Sequence, residues 1–600
     1  SGKGCWTYNL ASMTNSTFSV KDTYPAPNTD TYLLTAPCLD ANTVSCAACN
    51  GKSHGVASAY QVQCSNPTGP NSCLSLNNNG GGSSTFKPNS DPSTGLSLMI
   101  DGGDGGRSFV YNLVCNSSAT GGPTGLVHEQ PRLRYSIMWP TAAACPTFDS
   151  TETCTAPTPA PSPLPRPTDP QWTYQTHEIM ALIHFNMATF AHNGDPGCSA
   201  DNWAKNATYA AGPTNDPNTF NPAKLDTDQW VQVMQDLGAK HAVLTAKHGC
   251  GFLLWPTKTV LPNGSPYNYD ASHFGRNVLK EFTESANKAG IGHGFYYSLT
   301  NNFYLNVASH VAKKGPALPG QQLVTQAQFE AIALAQVKEL WTEFGNLTEI
   351  WFDGGYTSDM KVAITKLLQE NQPNANAFGG LGVSPNPVCW VGTESGNPGG
   401  EIWSTGGSSK GDPNSDVFCP KGCDTTLQNG DVWFFEAAST IRSLQEMIEV
   451  YHATVGMNGV LELDFAIDRD GLVNSAHAAR YKELGDWIRS CYGENKYWTT
   501  GPCTKPSCVL EIELKNQTID RTMVQERISE GQKVRSYQVD LVTASGAVVP
   551  LSTGQSVGNK RIDRLAKPVT DVVKARLTVK SWIGQSVYLW FSAFEPCLDG

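Results

Sequence analysis

At 600 residues the chain exceeds what one hydrophobic core organises, so two to four domains are expected. Apolar residues make up 40 % and charged residues 16 %, the balance of a globular chain and not of a disordered one. The net charge is −11 with no basic block, which excludes a nucleic-acid partner, since phosphates demand clustered Lys and Arg. No apolar run approaches the roughly 18 to 20 residues that span a bilayer, so no membrane span is expected. The sequence opens at Ser1 without an apolar leader, and any secretory signal is expected to have been removed.

Eighteen cysteines are far more than a reduced cytosolic enzyme needs. Six Asn-x-Ser/Thr sequons accompany them, at Asn15, Asn116, Asn206, Asn263, Asn346 and Asn516. Together they predict a secretory-pathway glycoprotein that is secreted, extracellular or lysosomal. Zinc is the competing use of so many thiols. The CxxC pair Cys46/Cys49 has no second pair at finger-like spacing, and no other group has ligand spacing, so no metal and no cofactor are expected.

In chain order, residues 1–150 are rich in Gly, Ser and Asn and carry short β-like runs such as Leu96–Ile100, Ser108–Cys115 and Arg134–Trp139. They predict a disulfide-stapled all-β domain. Residues 151–172 hold alternating prolines (APTPAPSPLPRPTDP) and predict an extended polyproline linker. Over 173–500 apolar runs alternate with amphipathic helical stretches such as Thr227–Leu237, Asn277–Ala289 and Thr325–Phe344. The runs are Ile179–Phe190, His241–Ala246, Gly292–Ser298, Leu347–Phe352, Asn376–Gly380, Val388–Gly392, Asp431–Phe435 and Gly459–Phe465. Eight runs with helices between them predict a (β/α)8 barrel. From 501 to 600 short strands without helices predict a C-terminal β-sandwich. The fold class is therefore multidomain.

Catalytic side chains of a parallel barrel sit where the strands end. Reading each run's end gives His184, then Lys247 and His248, then Tyr296, Asp353 and Glu394. Trp203, Trp255, Trp390 and Trp433 flank these ends with faces on which sugars stack. A carboxylate at one strand end and a second two strands later is what glycoside hydrolysis uses, one to attack the anomeric carbon and one to protonate the leaving oxygen.

The segments IHFNMATF, AVLTAKHGCGFLLWP, GFYYSL and IWFDG together resemble the α-L-fucosidases of glycoside hydrolase family 29, over about Thr176 to Gly493. GQSVGNKRIDR resembles the β-sandwich that follows the barrel in that family. The resemblance implies that Asp353 is the nucleophile and that His184, Trp203, His248 and Tyr296 hold the fucose ring, with Trp433 beside them. CWVGTESG resembles the branch whose acid/base lies in a W-x-G-x-E segment, which implies Glu394, with Glu401 and Glu436 as alternates. It further implies fucosylated glycans as partners. The family usually reads KHHDGF or KHHEGF where this chain has Lys247-His248-Gly249-Cys250-Gly251-Phe252. An imidazole and a carboxylate are lost there, and Cys250 pairing with Cys198 would tie the loop instead. Near the eighth strand the family's Asn followed by prolines is replaced by Asp464-Phe465-Ala466-Ile467.

RYSIMWPTAAAC and GGRSFVYNLVC resemble mannose-6-phosphate-receptor-homology lectin domains. That resemblance implies a Cys115–Cys145 disulfide and a sugar site with Arg107, Glu129 and Tyr135, and hence mannose-bearing glycans as a further partner. The family's Gln has no match, since Gln61 and Gln63 fall too early. The nine cysteines up to Cys154 and the nine beyond are both odd, so full pairing requires one bridge between the groups, with Cys154 the crossing residue. Two other functional readings stay open: a catalytically impaired fucosidase-like glycoprotein with a binding or structural role, and an exo-glycosidase for a related sugar.

Overall fold

The computed structural model describes residues 164–190 and 216–597 apart from 316, 318, 319, 495 and 505–507. Before them it describes most of 92–149 and the short strands between residues 5 and 88. Trp203, Cys154, Cys198, Asn15 and Asn206 lie outside the described residues, as do the side chains of Arg107, Glu129 and Tyr135. The chain divides into two compact units, Ser1–Pro159 and Ala160–Gly600.

The first unit is built from strands. Phe18–Lys21, Thr31–Leu34, Ala59–Val62 and Cys73–Ser75 form an antiparallel four-stranded sheet, and Cys5–Thr7 pairs with Thr147–Asp149. A five-stranded sheet runs Ser84–Pro88, Gly95–Gly103, Arg107–Cys115, Arg134–Thr141, Thr124–Glu129 in spatial order. Alternation decides its faces: Phe109, Tyr111 and Leu113 are buried with Leu96, Leu98, Ile137 and Trp139, while the residues between are part-exposed. Cys115 and Cys145 are joined by a disulfide.

The second unit opens on helix Asp169–His177, whose first turn is closed by a capping box between Thr168 and Gln171. The linker expected over 151–172 therefore ends by Thr168. Pro170 falls in the first turn, where its missing N–H leaves no helical bond unmade. Eight parallel strands then close into a barrel: Ile179–His184, His241–Lys247, Gly292–Tyr297, Glu349–Trp351, Asn376–Phe378, Pro387–Trp390, Lys421–Thr425 and Val460–Ala466. Most are buried along their whole length, as strands covered on both faces must be, which is why they read as continuous apolar runs.

Two expected strands differ. The first ends at His184, and Met187–Phe190 is a helical turn. The seventh is Lys421–Thr425, not Asp431–Phe435. Its sequence KGCDT carries no apolar run: Gly422 and Asp424 face the barrel interior, while Lys421 is buried on the outer face, where its Nζ donates to the Gly406 carbonyl at 2.6 Å. Helices follow strands two, three, four, seven and eight as Val278–Ala289, Gln326–Glu343, Lys361–Asn371, Leu444–Thr454 and Ser475–Tyr492. Thr227–Leu237 precedes the second strand, and no helix follows the fifth or the sixth. The long connection after the sixth strand is pinned by a Cys389–Cys419 disulfide instead.

Beyond the barrel, Tyr497–Thr504, Cys508–Glu526, Val534–Thr543, Val548–Gly554, Arg561–Trp582 and Ser586–Phe594 form one antiparallel six-stranded sheet. The sandwich expected here is thus one continuous hydrogen-bonded sheet. Its strands of 19 and 22 residues shift register between Glu513 and Arg521. A core of its own, including Ile519, Val539, Leu577 and Phe591, holds it together. Ion pairs Lys560–Glu178 (2.5 Å) and Arg561–Glu401 (3.1 Å) and a Cys491–Cys597 disulfide fasten it to the barrel. No described helix is long and apolar enough to cross a membrane.

Candidate active site

The barrel's strand ends surround a cavity of about 460 Å³. His184 ends the first strand, His248 follows the second, Tyr296 lies on the third, and Asp353 follows the fourth. Glu394 follows the sixth strand, Asp424 lies on the seventh, and Trp433 comes from the loop after it. All seven line this one cavity, so the structure brings together every expected ring-binding and catalytic residue that it describes.

Asp353 is placed by backbone geometry. Gly354 and Gly355 adopt φ of +67° and +78°, and a Cβ on Gly354 would meet Thr300 Oγ1 at 2.1 Å. Only glycine lets the chain turn there. Thr300 donates to the Asp353 carbonyl at 2.8 Å, and the Tyr296 hydroxyl donates to Asp353 Oδ2 at 2.6 Å. Below them Lys247 is fully buried, with Nζ donating to the carbonyls of Ser298 (2.6 Å) and Asn301. Burial pulls its pKa down to about 7, and the negative charge of Asp353 opposes that fall.

The two histidines have different settings. His184 Nδ1 lies 2.9 Å from Asp464 Oδ1 of the eighth strand, and burial holds the imidazole well below its usual pKa, with His248 adding to the effect. Asp464 thus supplies a partner that fixes the ring. His248 stacks on Tyr296 with centroids 5.6 Å apart, and its buried Nδ1 has no hydrogen-bond partner among the described residues. Trp433 packs on His184 (4.9 Å), so one apolar face and two imidazoles bound the same space.

Glu394 is solvent-exposed, and the Trp433 indole donates to its Oε2 at 3.2 Å. The residue after it, Ser395, bridges Thr425 at the end of the seventh strand, which pins the segment over Asp424. Asp424 was not legible in the sequence. Trp390 Nε1 donates to its Oδ1 at 2.6 Å. Burial pushes the Asp424 carboxyl well up, with the charges of Glu462 and Glu394 adding to it. The alternates to Glu394 are engaged elsewhere. Glu401 accepts from Gln555 N (2.8 Å) and Arg561, and Glu436 accepts from Ala438 N within its own turn. Trp255 is also not part of the site: it is buried in the core and donates to Glu339 at 2.8 Å.

The segment that departs from KHHDGF is held by backbone. Phe303 N donates to the Gly249 carbonyl (2.8 Å) and Tyr304 N to that of Cys250 (3.2 Å). Cys250 is buried and disulfide-bonded, and its partner lies outside the described residues. Cys423 is buried and unpaired in the barrel. The premise that every cysteine pairs therefore fails, and no bridge has to join the two halves of the chain. Among the described residues no group of three or more His, Cys, Asp or Glu could hold a metal ion.

A family model described as alpha-L-fucosidase matches residues 191–494. Alpha-L-fucosidase 1 of Arabidopsis thaliana is 26 % identical over 459 residues, covering 67 % of this chain and 82 % of that protein. The tissue alpha-L-fucosidase of mouse is 31 % identical over 135 residues, 22 % of this chain and 25 % of that one. Among solved structures, a chain from Bacteroides thetaiotaomicron VPI-5482 superposes with a TM-score of 0.61 at 28 % identity, covering 72 % of this chain and 100 % of that one. A Ruminococcus gnavus GH29 fucosidase in complex with fucose shares the fold, with a TM-score of 0.58 at 19 % identity over 72 % and 96 % of the two chains. A match over half the length, centred on the barrel whose strand ends build the pocket, settles the assignment: the chain belongs to the α-L-fucosidase family and is a glycoside hydrolase.

Proposed function

We propose that the protein is a retaining exo-α-L-fucosidase that removes terminal α-linked fucose from glycans by double displacement. The observation that carries this reading is the meeting of Asp353 and Glu394 in one pocket with His184, His248 and Tyr296. In the first step the Asp353 carboxylate attacks the anomeric carbon while Glu394 gives its proton to the departing glycosidic oxygen. In the second, Glu394 takes a proton from water, which attacks the same carbon and releases Asp353. Tyr296 holds one oxygen of the nucleophile, and Trp433 orients the acid. A cavity of about 460 Å³ has room for a monosaccharide. The impaired-enzyme reading is disfavoured because the altered loop removes neither carboxylate. Turnover of 4-nitrophenyl α-L-fucoside, with the product anomer followed by NMR, tests the proposal. No release of fucose, or release of the inverted anomer first, overturns it.

The first unit we infer to be a lectin-like domain over residues 1–150. Its support is backbone register: Tyr135 pairs with Glu129 on one side and with Phe109 on the other, two residues from Arg107. The three positions implied by the lectin resemblance thus share one end of three adjacent strands. A secretory destination is supported by the disulfides and by Asn116, Asn263, Asn346 and Asn516, all exposed and open to glycosylation.

A further inference from the structure

A second cavity of about 1060 Å³ lies on the other side of the residue that follows the acid/base. Ser395 and Asn397 form its near wall, the helix Leu444–Thr454 and the Arg442 before it form one flank, and the C-terminal sheet around Arg564 forms the other. We propose that this cleft binds the leaving-group side of the substrate, and that the group bound there is a neutral oligosaccharide of two or more sugar residues. The proposal rests on the fucosidase reading and extends it to the substrate class.

Three observations carry it. The acid/base protonates the leaving oxygen, so the leaving group must exit on the Glu394 side of the fucose pocket. The Glu394–Ser395 step is the partition between that pocket and the cleft, since Glu394 lines one and Ser395 the other. Arg442 sits at this partition: its Nη1 donates to the Ser395 carbonyl at 3.4 Å, and no carboxylate pairs with it among the described residues. A guanidinium has five N–H donors in a planar fork, so donors beyond the one on Ser395 remain for neighbouring sugar hydroxyls in the cleft that Arg442 lines.

The composition of the cleft selects the ligand. Three arginines on its walls stand against four carboxylates, with Arg564 bound to Glu449 through both guanidinium nitrogens (2.9 and 2.6 Å) and Arg521 to Asp520 (2.7 Å). An anionic unit gains nothing from such a lining, whereas interleaved donors and acceptors match a polyhydroxylated neutral one. Met457, half-buried, adds apolar surface to the wall. The volume is at the upper end of roughly 300–1,000 Å³ usual for ligand sites, too large for one sugar residue to fill.

The test compares the intact protein and two variants on 4-nitrophenyl α-L-fucoside, a fucosylated disaccharide, a neutral fucosylated pentasaccharide of the same linkage, and a sialylated form of that pentasaccharide. Wild type is expected to show at least tenfold higher kcat/KM on the neutral pentasaccharide than on the disaccharide, with no gain from sialylation. Gln445→Trp, an exposed helix position lining the cleft, should block it: KM for the pentasaccharide rises fivefold or more while the aryl fucoside changes less than twofold. Arg442→Gln keeps an amide to meet the Ser395 carbonyl but loses the fork, and should raise KM for the pentasaccharide with kcat little changed. Equal kcat/KM across chain lengths, or an equal effect of Gln445→Trp on short and long substrates, overturns the cleft proposal while leaving the fucosidase reading intact. Absence of turnover on every fucoside overturns both.

Discussion

Tyr296 donates its hydroxyl to Asp353 Oδ2 at 2.6 Å, so one oxygen of the proposed nucleophile is anchored before substrate arrives. Hydrogen bonds to a charged carboxylate are worth about 1.5–3 kcal/mol. Tyr296→Phe should therefore lower kcat by roughly 10- to 100-fold. Asp353→Ala should lower it by several orders of magnitude, with azide partly restoring turnover to an inverted product. Near-normal turnover by Asp353→Ala in a steady-state assay would remove it from the mechanism.

Glu394→Ala should spare activated aryl fucosides and damage substrates whose leaving groups need a proton. Its pH profile on the aryl substrate should also flatten. Trp433→Phe removes the indole donor to Oε2 and should show a weaker version of the same split. Equal loss on both substrate kinds, read as kcat/KM, would move the acid role to another residue.

His452 supplies a pH effect on stability. It is buried, its Nε2 lies 2.6 Å from the Tyr492 hydroxyl, and its pKa falls to about 3, through burial first and the charge of Arg564 second. In the unfolded chain it titrates near 6.5, so below that pH the unfolded state binds a proton that the fold refuses. Its contribution is full above about pH 6.5 and is lost as pH falls towards 3. At pH 5 the loss is about 2 kcal/mol. The stability difference between wild type and His452→Gln, measured by denaturant titration, should therefore shift by that amount in the variant's favour between pH 7 and pH 5. A difference that does not change with pH would mean that the folded imidazole takes up a proton as readily as the unfolded one.

Cysteine chemistry separates the buried from the bonded. Cys423 should resist alkylation in the native protein and react on unfolding without reductant, since burial pushes its thiol well up and hides it. Non-reducing peptide mapping should recover Cys389–Cys419, Cys491–Cys597 and Cys503–Cys508, and should join Cys250 to Cys198. A Cys250 peptide linked elsewhere would mean that the loop after the second strand is tied to a different neighbour.

If the first unit binds mannose, a glycan array probed with the whole protein should light up terminal non-reducing mannose at micromolar to millimolar strength, roughly what a shallow monosaccharide site allows. Arg107→Ala should abolish that signal and leave aryl fucoside turnover unchanged. Binding unchanged in the variant would leave the domain without this site.

The barrel was legible where its strands are buried on both faces, because runs such as MALIHF and AVLTA announce themselves. Asp353 and Tyr296 were legible for the same reason, standing where such runs end. Lys421–Thr425 was not, since a strand that turns Gly422 and Asp424 inward and buries Lys421 on its other face has no apolar run to read. Asp431–Phe435 misled in the opposite sense. Its Trp433 lines the pocket and its Trp433 and Phe434 pack on His184, so they are apolar for the site's sake and not for a sheet's. Trp255 shows the same ambiguity resolved the other way, as a tryptophan near a strand end that belongs to the core. Asp424 gave no sequence signal because its role depends on a bridge between Ser395 and Thr425, two segments 30 residues apart.

The Cys491–Cys597 bond spans 106 residues and encloses every strand of the C-terminal sheet. The domain is in effect a ring hung from the last barrel helix. A single proteolytic cut in any of its hairpin turns opens the ring without detaching a fragment, so a nicked molecule keeps its full mass until it is reduced. Folding acquires an order as well: once the bond closes, the sheet cannot drift from the barrel, and its search for partners is confined to a tethered volume.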